Sequence, residues 1–114
     1  MSDKKVSVKF RIWINSDDLK LLGKGRVELL ILIDELGSIS KAALTMKMSY
    51  RQAWQMVSEM NERANEPFVE KRMGGKSGGG AILTPAGKRA IDEFSRLETR
   101  VYDFILSESK KLSL

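Results

Sequence analysis

The start of the chain carries a strict alternation of apolar and polar positions. Apolar side chains occupy every second position from Val6 to Ile14, and the positions between them are mostly polar, as with Lys9 and Arg11. This period of two is typical of a half-buried strand. The next residues, Asn15 to Asp18, all favour turns. We therefore expect one N-terminal strand followed by a turn.

After the turn, apolar residues recur at helical spacing and predict two helices in close succession. The first spans Gly25 to Leu36 and stops at Gly37, which suits the left-handed position that ends many helices. The second begins after the N-cap candidate Ser38 and reaches about Met46. A short break at Lys47 then separates it from the next helix.

The third predicted helix has both a start signal and a core-facing stripe. Ser49, with Gln52 three positions later, matches a capping box. Arg51 lies off the apolar stripe, and Pro67 ends the helical pattern. The stripe itself consists of Ala53, Val57, Met60 and Ala64.

Two short apolar runs then flank a segment that is rich in glycine. Residues 68–72 and 81–83 have the composition of strands, and the segment between them contains Lys76 and Ser77. This arrangement predicts a hairpin with a long basic tip. Thr84 as N-cap and Pro85 at the first helical position open a last helix that continues to about Ser109.

Composition excludes several functional classes. The 114 residues fit one domain, and they include neither cysteine nor histidine. Disulfide scaffolds, thiol nucleophiles, imidazole metal sites and the usual serine triad are thereby excluded. We expect no enzyme activity, no catalytic residue, no cofactor and no metal. The longest apolar run, Leu29–Ile33, is too short to span a membrane, so we expect a cytoplasmic protein without a membrane partner.

The positive charge is concentrated in one part of the chain. The formal net charge is +5, and residues 41–90 alone hold nine basic and four acidic residues, which accounts for all of it. These residues cover the second and third helices, the hairpin and the beginning of the last helix. Such segregation favours a polyanionic partner for this part of the molecule.

The order of elements predicts an α+β winged helix-turn-helix with an N-terminal strand. We expect residues 1–114 to form one domain, with the helix-turn-helix at about 38–65, the wing at about 68–84 and the C-terminal helix at about 85–109. In this fold the third helix enters the major groove of DNA. Arg and Gln there can read guanine and adenine. A protein-interaction module of the same fold, without specific DNA binding, remains the alternative.

The residues that we expect to contact double-stranded DNA lie on the two helix starts, the third helix and the wing. For Trp54 we favour packing at the edge of the third helix over a base contact. The full predicted set is Ser40, Lys41, Ser49, Tyr50, Arg51, Gln52, Gln55, Arg72, Lys76 and Ser77.

The last helix carries an apolar seam with alternating spacings of four and three. Such a seam either contacts a second copy or packs on the first helix, and we expect both in different stretches. The expected homodimer contacts are Phe94, Leu97, Val101, Phe104 and Ile105.

Two runs of residues carry a resemblance to a known family. Residues 37–43 and 48–54, with the sequence Ser49-Tyr50-Arg51-Gln52-Ala53-Trp54, resemble the helix-turn-helix of the ModE-type molybdate-responsive repressors. Residues 74–87 resemble the glycine-rich wing of that family. The first run alone also resembles the broader LysR-type helix-turn-helix group.

This resemblance implies a dimeric bacterial-type transcription regulator. It implies DNA contacts by Ser49, Tyr50 and Arg51, and by Lys76 in the wing. Family members carry C-terminal molybdate-binding domains that have no counterpart in these 114 residues, so we do not expect molybdate binding here. Relatives often have glycine where this chain has Lys47. Either the turn differs, or a left-handed lysine costs about 1–2 kcal/mol there.

Overall fold

The computed structural model describes residues 4–72 and 80–114, and these residues form four α-helices and two antiparallel hairpins. The elements are β1 (Ile14–Ser16), β2 (Leu19–Leu22), α1 (Lys24–Leu36), α2 (Ile39–Thr45), α3 (Tyr50–Arg63), β3 (Val69–Arg72), β4 (Gly80–Leu83) and α4 (Pro85–Ser109). Their order is that of an α+β winged helix-turn-helix.

The N-terminal prediction was wrong in its boundaries. Residues 4–13 lie outside the two sheets, and the strand begins only at Ile14, where the prediction ended it. Asp17 and Asp18 both have positive φ, at 47° and 67°, and form the two-residue turn between β1 and β2. Aspartate tolerates this left-handed conformation, which suits the twist of a tight hairpin. Before Ile14 the alternating pattern therefore did not correspond to a paired strand, and β2 was missed.

The helix ends follow the local capping signals closely. Gly37 ends α1 with φ at +67°, and its N–H donates to the Ile33 carbonyl over 2.8 Å. The Ser38 side chain caps α2, and the Thr84 side chain caps α4 by accepting from the Gly87 N–H over 3.0 Å. These ends were predictable because a cap is decided by side chains within three residues of it.

Lys47, in the turn between α2 and α3, is left-handed with φ at +57°. We therefore expect Lys47→Gly to raise the free energy of unfolding by about 0.5–1 kcal/mol, since glycine avoids the Cβ clash but loses more backbone entropy. Urea denaturation measures this change. The same substitution at Lys41, inside α2, is the matched control and should destabilise by about 1 kcal/mol. Equal losses in both variants would contradict a strained turn.

The core lies where the three helices of the helix-turn-helix meet the base of the wing. Leu29, Leu30, Ile33 and Met60 are its largest fully buried side chains. The strand β4 lies beside this core, and its Ala81 N–H donates to the Gly37 carbonyl over 3.0 Å. This bond joins the wing to the junction between α1 and α2.

The long helix α4 divides into two parts with different surroundings. Ala86, Gly87, Ala90 and Phe94 are buried in the core, and Phe94 is only 3% exposed. Beyond them the helix leaves the core, and Phe104 is 65% exposed. Phe94 is therefore a core residue of the single chain, and its assignment to a dimer contact is corrected. The apolar seam continues past the point where α1 and β4 cover it.

Within residues 4–72 and 80–114, no helix combines the length and apolar character that crossing a membrane requires.

Candidate nucleic-acid interface

The first turn of α3 presents polar side chains to solvent. Ser49 caps the helix, and its hydroxyl accepts a hydrogen bond from the Gln52 N–H over 3.0 Å. Tyr50, Arg51 and Gln52 are all exposed directly after this cap. The cap fixes the direction of the first turn, while Ala53, Val57 and Met60 hold the opposite face in the core. The geometry is that of a helix anchored on one side and free on the other.

A notch of about 400 Å³ lies beside this first turn, between α2, α3 and the base of the wing. Ser40 and Tyr50 line it from the helices, while Lys71, Arg72 and Gly80 line it from the wing. Two basic residues and three residues with hydroxyl groups, Ser38, Ser40 and Tyr50, therefore line one concave surface. Such groups bind phosphate oxygens in protein–DNA complexes.

Lys71 also joins the wing to α3. Its ammonium group lies 4.7 Å from the centre of the Trp54 ring. Trp54 is 42% exposed at the edge of α3, and Lys71 lies over its ring. This contact places a positive charge at the boundary between recognition helix and wing.

A charged network ties α3 to α1 on the side away from the wing. The Arg26 guanidinium donates to the Glu59 carboxylate over 2.5 Å, and Arg63 lies 3.6 Å from the same carboxylate oxygen. Gln55 donates to the other oxygen over 3.4 Å. Gln55, a predicted base-contact residue, is thus exposed but already oriented by Glu59. The orientation of the Gln55 side chain along α3 therefore depends on its hydrogen bond to Glu59.

The hydrogen bond from Arg26 lowers the pKa of Glu59 below its ordinary value of 4.5. The hydrogen bond from Gln55 and the positive charges of Arg26 and Arg63 also lower this pKa, whereas burial raises it. A carboxylate with a lowered pKa stabilises the fold above its unfolded pKa and loses that contribution as the pH falls through the folded value. We expect Glu59→Gln to cost about 1–2 kcal/mol at neutral pH. This difference from wild type should shrink steadily below about pH 4.5.

Urea denaturation at several pH values between neutral and acid measures the effect. Glu62→Gln, an exposed neighbour on α3, is the control and should change the free energy of unfolding little at any pH. A Glu59→Gln difference that stays constant into acid would show that the carboxylate charge contributes nothing.

Asn61 positions the wing, and sequence reasoning did not single it out as a functional residue. Its side-chain oxygen accepts from the Phe68 and Val69 N–H groups over 2.8 and 3.1 Å, and its amide donates to the Val69 carbonyl over 2.9 Å. These three bonds connect α3 to the first residues of the wing. Asn61 lies only seven and eight positions before Phe68 and Val69. The sequence feature that could have indicated this contact is a polar residue near the end of α3, shortly before Pro67.

The other side of the wing base is held by the beginning of α4. The Thr84 N–H donates to the Phe68 carbonyl over 3.0 Å, and the Thr84 hydroxyl donates to the Pro67 carbonyl over 2.6 Å. Gly87 passes so close that a Cβ there would lie 2.3 Å from the Phe68 oxygen. The wing is therefore fixed between α3 and α4 before its tip is reached.

All the predicted DNA-contact residues that the structure describes are exposed, and three of them, Ser40, Tyr50 and Arg72, line the same notch. Ser40 and Lys41 are exposed at the start of α2, and Arg72 is exposed at the end of β3. Lys76 and Ser77 lie outside the described residues. Ser49 serves as a cap, so its hydroxyl is already engaged with the helix backbone.

The fold and this surface define a winged helix-turn-helix protein. Residues 25–88 match the family described as "Bacterial regulatory helix-turn-helix protein, lysR family", and the match covers more than half of the chain. The chain belongs to this family, and the prediction that it is related to helix-turn-helix regulators and not to enzymes is confirmed.

Curated relatives point to the ModE group within this class. The chain is 43% identical over 93 residues to the molybdenum-pterin-binding protein MopB of Rhodobacter capsulatus, which aligns with 82% of this chain and 34% of that protein. It is 34% identical over 103 residues to the molybdenum transport protein ModE of Azotobacter vinelandii, covering 90% and 38% respectively. It is 39% identical over 92 residues to the DNA-binding transcriptional dual regulator ModE of Escherichia coli K12, covering 78% and 35%.

The predicted resemblance to the N-terminal part of the ModE-type regulators is thus confirmed. The chain spans about a third of the length of the curated relatives that it matches.

Proposed function

We propose that this chain binds double-stranded DNA in a sequence-specific manner and regulates transcription as a homodimer. In this proposal α3 enters the major groove, where Arg51 and Gln55 read base edges, and the basic wing follows the backbone. The observation that supports it best is the exposed, capped first turn of α3 beside a notch lined by Lys71 and Arg72. A regulator of chromosomal DNA acts in the cytoplasm.

The distal part of α4 supports the homodimer. Leu97, Tyr102, Phe104 and Leu106 are all exposed large side chains on α4. A second copy packed along the face that carries Leu97 and Phe104, which are seven residues apart, would cover these two side chains. We assign the contact to Leu97, Val101, Phe104 and Ile105, without Phe94. Two copies would then present two α3 helices to half-sites about one helical turn apart.

Selection from a randomised duplex library, followed by a salt titration, tests the proposal. We expect enrichment of a palindrome and an affinity that falls steeply as salt increases. Enrichment without symmetry would contradict the homodimer. Absence of binding at low salt would exclude DNA as the partner and would favour a protein-interaction module of the same fold.

Arg51 carries the sharpest prediction about sequence specificity. We expect Arg51→Ala to lower affinity for the selected duplex about ten- to a hundred-fold, because a good bidentate contact to guanine is worth about 1–3 kcal/mol. Affinity for random DNA should fall much less. Fluorescence anisotropy with both duplexes measures the ratio. Arg96→Ala removes the same charge from the exposed surface of α4 and is the control. Equal losses on both duplexes would mean that Arg51 contacts only the backbone.

The names of the relatives mention molybdenum-pterin binding and molybdenum transport, and these are properties of those proteins. This chain aligns with only about a third of each of them, and we extend only DNA binding and regulation to it.

A further inference from the structure

One side of α3 faces the wing along its whole length. Tyr50, Trp54 and Asn61 lie on this side, at spacings of four and seven residues that place them on one helix face. Asn61 forms hydrogen bonds with the first wing residues, including Val69. Trp54 lies under Lys71, which follows Val69 by two residues in β3. Val69 is buried, and period-two alternation places Lys71 on the same side of the strand, towards α3.

Lys71 contributes to two neighbouring concave surfaces. It lines the basic notch with Ser40, Tyr50 and Arg72, and it lines the groove that contains Trp54 and Asn61. The Trp54 ring therefore holds the Lys71 ammonium group at the rim of the notch. A lysine on a flexible stem normally loses much rotamer freedom when it binds an anion. A ring that already restrains it reduces that cost.

We propose that Trp54 is a positioning residue that holds Lys71 at a phosphate-binding site between the recognition helix and the wing. The site is the notch lined by Ser40, Tyr50, Lys71 and Arg72, and its ligand is a phosphate of the DNA backbone. This inference rests on the proposed DNA-binding function. It assigns to Trp54 a role in affinity for every sequence, and none in reading bases.

A double-mutant cycle on DNA affinity tests the proposal. Anisotropy titrations compare the wild type, Trp54→Leu, Lys71→Met and the double variant, on the selected duplex and on random DNA, at a temperature where circular dichroism shows all four folded. We expect Trp54→Leu to weaken both duplexes about two- to five-fold, the value of a cation–π contact at an exposed site. In the Lys71→Met background the same change should have no effect.

The salt dependence separates the two residues. Lys71→Met should reduce the slope of log affinity against log salt by about 0.9, because one phosphate contact is lost. Trp54→Leu should leave the slope unchanged, since the charge remains. Trp54→Phe keeps a ring under the ammonium and should restore most of the lost affinity.

Trp13 provides a matched control. Lys20 lies over its ring at 5.6 Å, so the pair has the same chemistry. Trp13 directly precedes β1, and Lys20 lies in β2, where its carbonyl accepts from Arg63 at the opposite end of α3. Trp13→Leu should leave DNA affinity unchanged. If Trp54→Leu costs as much in the Lys71→Met background as in the wild type, Trp54 contacts DNA itself and the positioning role is wrong. A wild-type chain that binds no DNA would instead overturn the proposed function.

Discussion

Replacing Gly87 by alanine should destabilise the protein by about 3 kcal/mol, the upper part of the range for overpacked sites. The added Cβ would lie 2.3 Å from the Phe68 carbonyl oxygen and 3.1 Å from its carbon, and both are backbone atoms that cannot rotate away. The same carbonyl accepts the Thr84 N–H, so moving it would also disturb the cap of α4. We expect a lower urea midpoint with an unchanged denaturant slope.

Gly25→Ala is the matched control for this prediction. Gly25 also lies in the first turn of a helix, but a Cβ there would meet nothing within 4 Å. Alanine should stabilise the helix by up to about 1 kcal/mol at this position. If the two variants had equal stability, the close approach of Gly87 to the wing base would have no energetic consequence.

Asn61→Ala should cost about 3 kcal/mol, because it removes three hydrogen bonds and leaves two N–H groups and one carbonyl without these partners. Only one orientation of the amide satisfies all three, since the oxygen must accept and the nitrogen must donate. Asn61→Asp keeps the two accepted bonds but cannot donate to the Val69 carbonyl. We therefore expect its stability to lie between those of wild type and alanine variant.

The effect of Asn61 should extend to DNA binding because these bonds set the angle between α3 and the wing. We expect Asn61→Asp, measured where it is folded, to weaken binding to all duplexes, as a displaced wing would. Asn65→Ala makes the same change at an exposed position just beyond α3 and should alter stability by less than about 0.5 kcal/mol. Equal stability of the Asn61 and Asn65 alanine variants would mean that the three hydrogen bonds of Asn61 do not stabilise the attachment of the wing.

Some features were readable from the sequence because their causes are local. Ser38, Ser49 and Thr84 cap helices through atoms only three residues away, and each cap was predicted at the position where the structure has it. Gly37 was recognised from its place after an apolar helix, and its φ is positive as required. For Ser49 and Gln52 the structure has the serine-to-backbone bond of the capping box.

Other features needed partners that are distant in the chain. The alternation from Val6 to Ile14 is compatible with a strand, but a strand also needs a neighbour, and in the described part of the chain only Ile14–Ser16 finds one. Phe94 and Phe104 belong to the same apolar seam, yet one is buried and the other exposed. The difference depends on where α1 and β4 end beside α4, which no spacing in the last helix reveals.

The sequence by itself determined the order of the four helices and the wing hairpin, the helix caps and the concentration of positive charge in residues 41–90, because these follow from local propensities and from composition. Only the tertiary structure decided how the wing is attached to α3 and α4. Asn61, Gly87 and the pair of Trp54 with Lys71 act across separate elements. Their roles depend on distances of a few ångströms that arise only when those elements pack together.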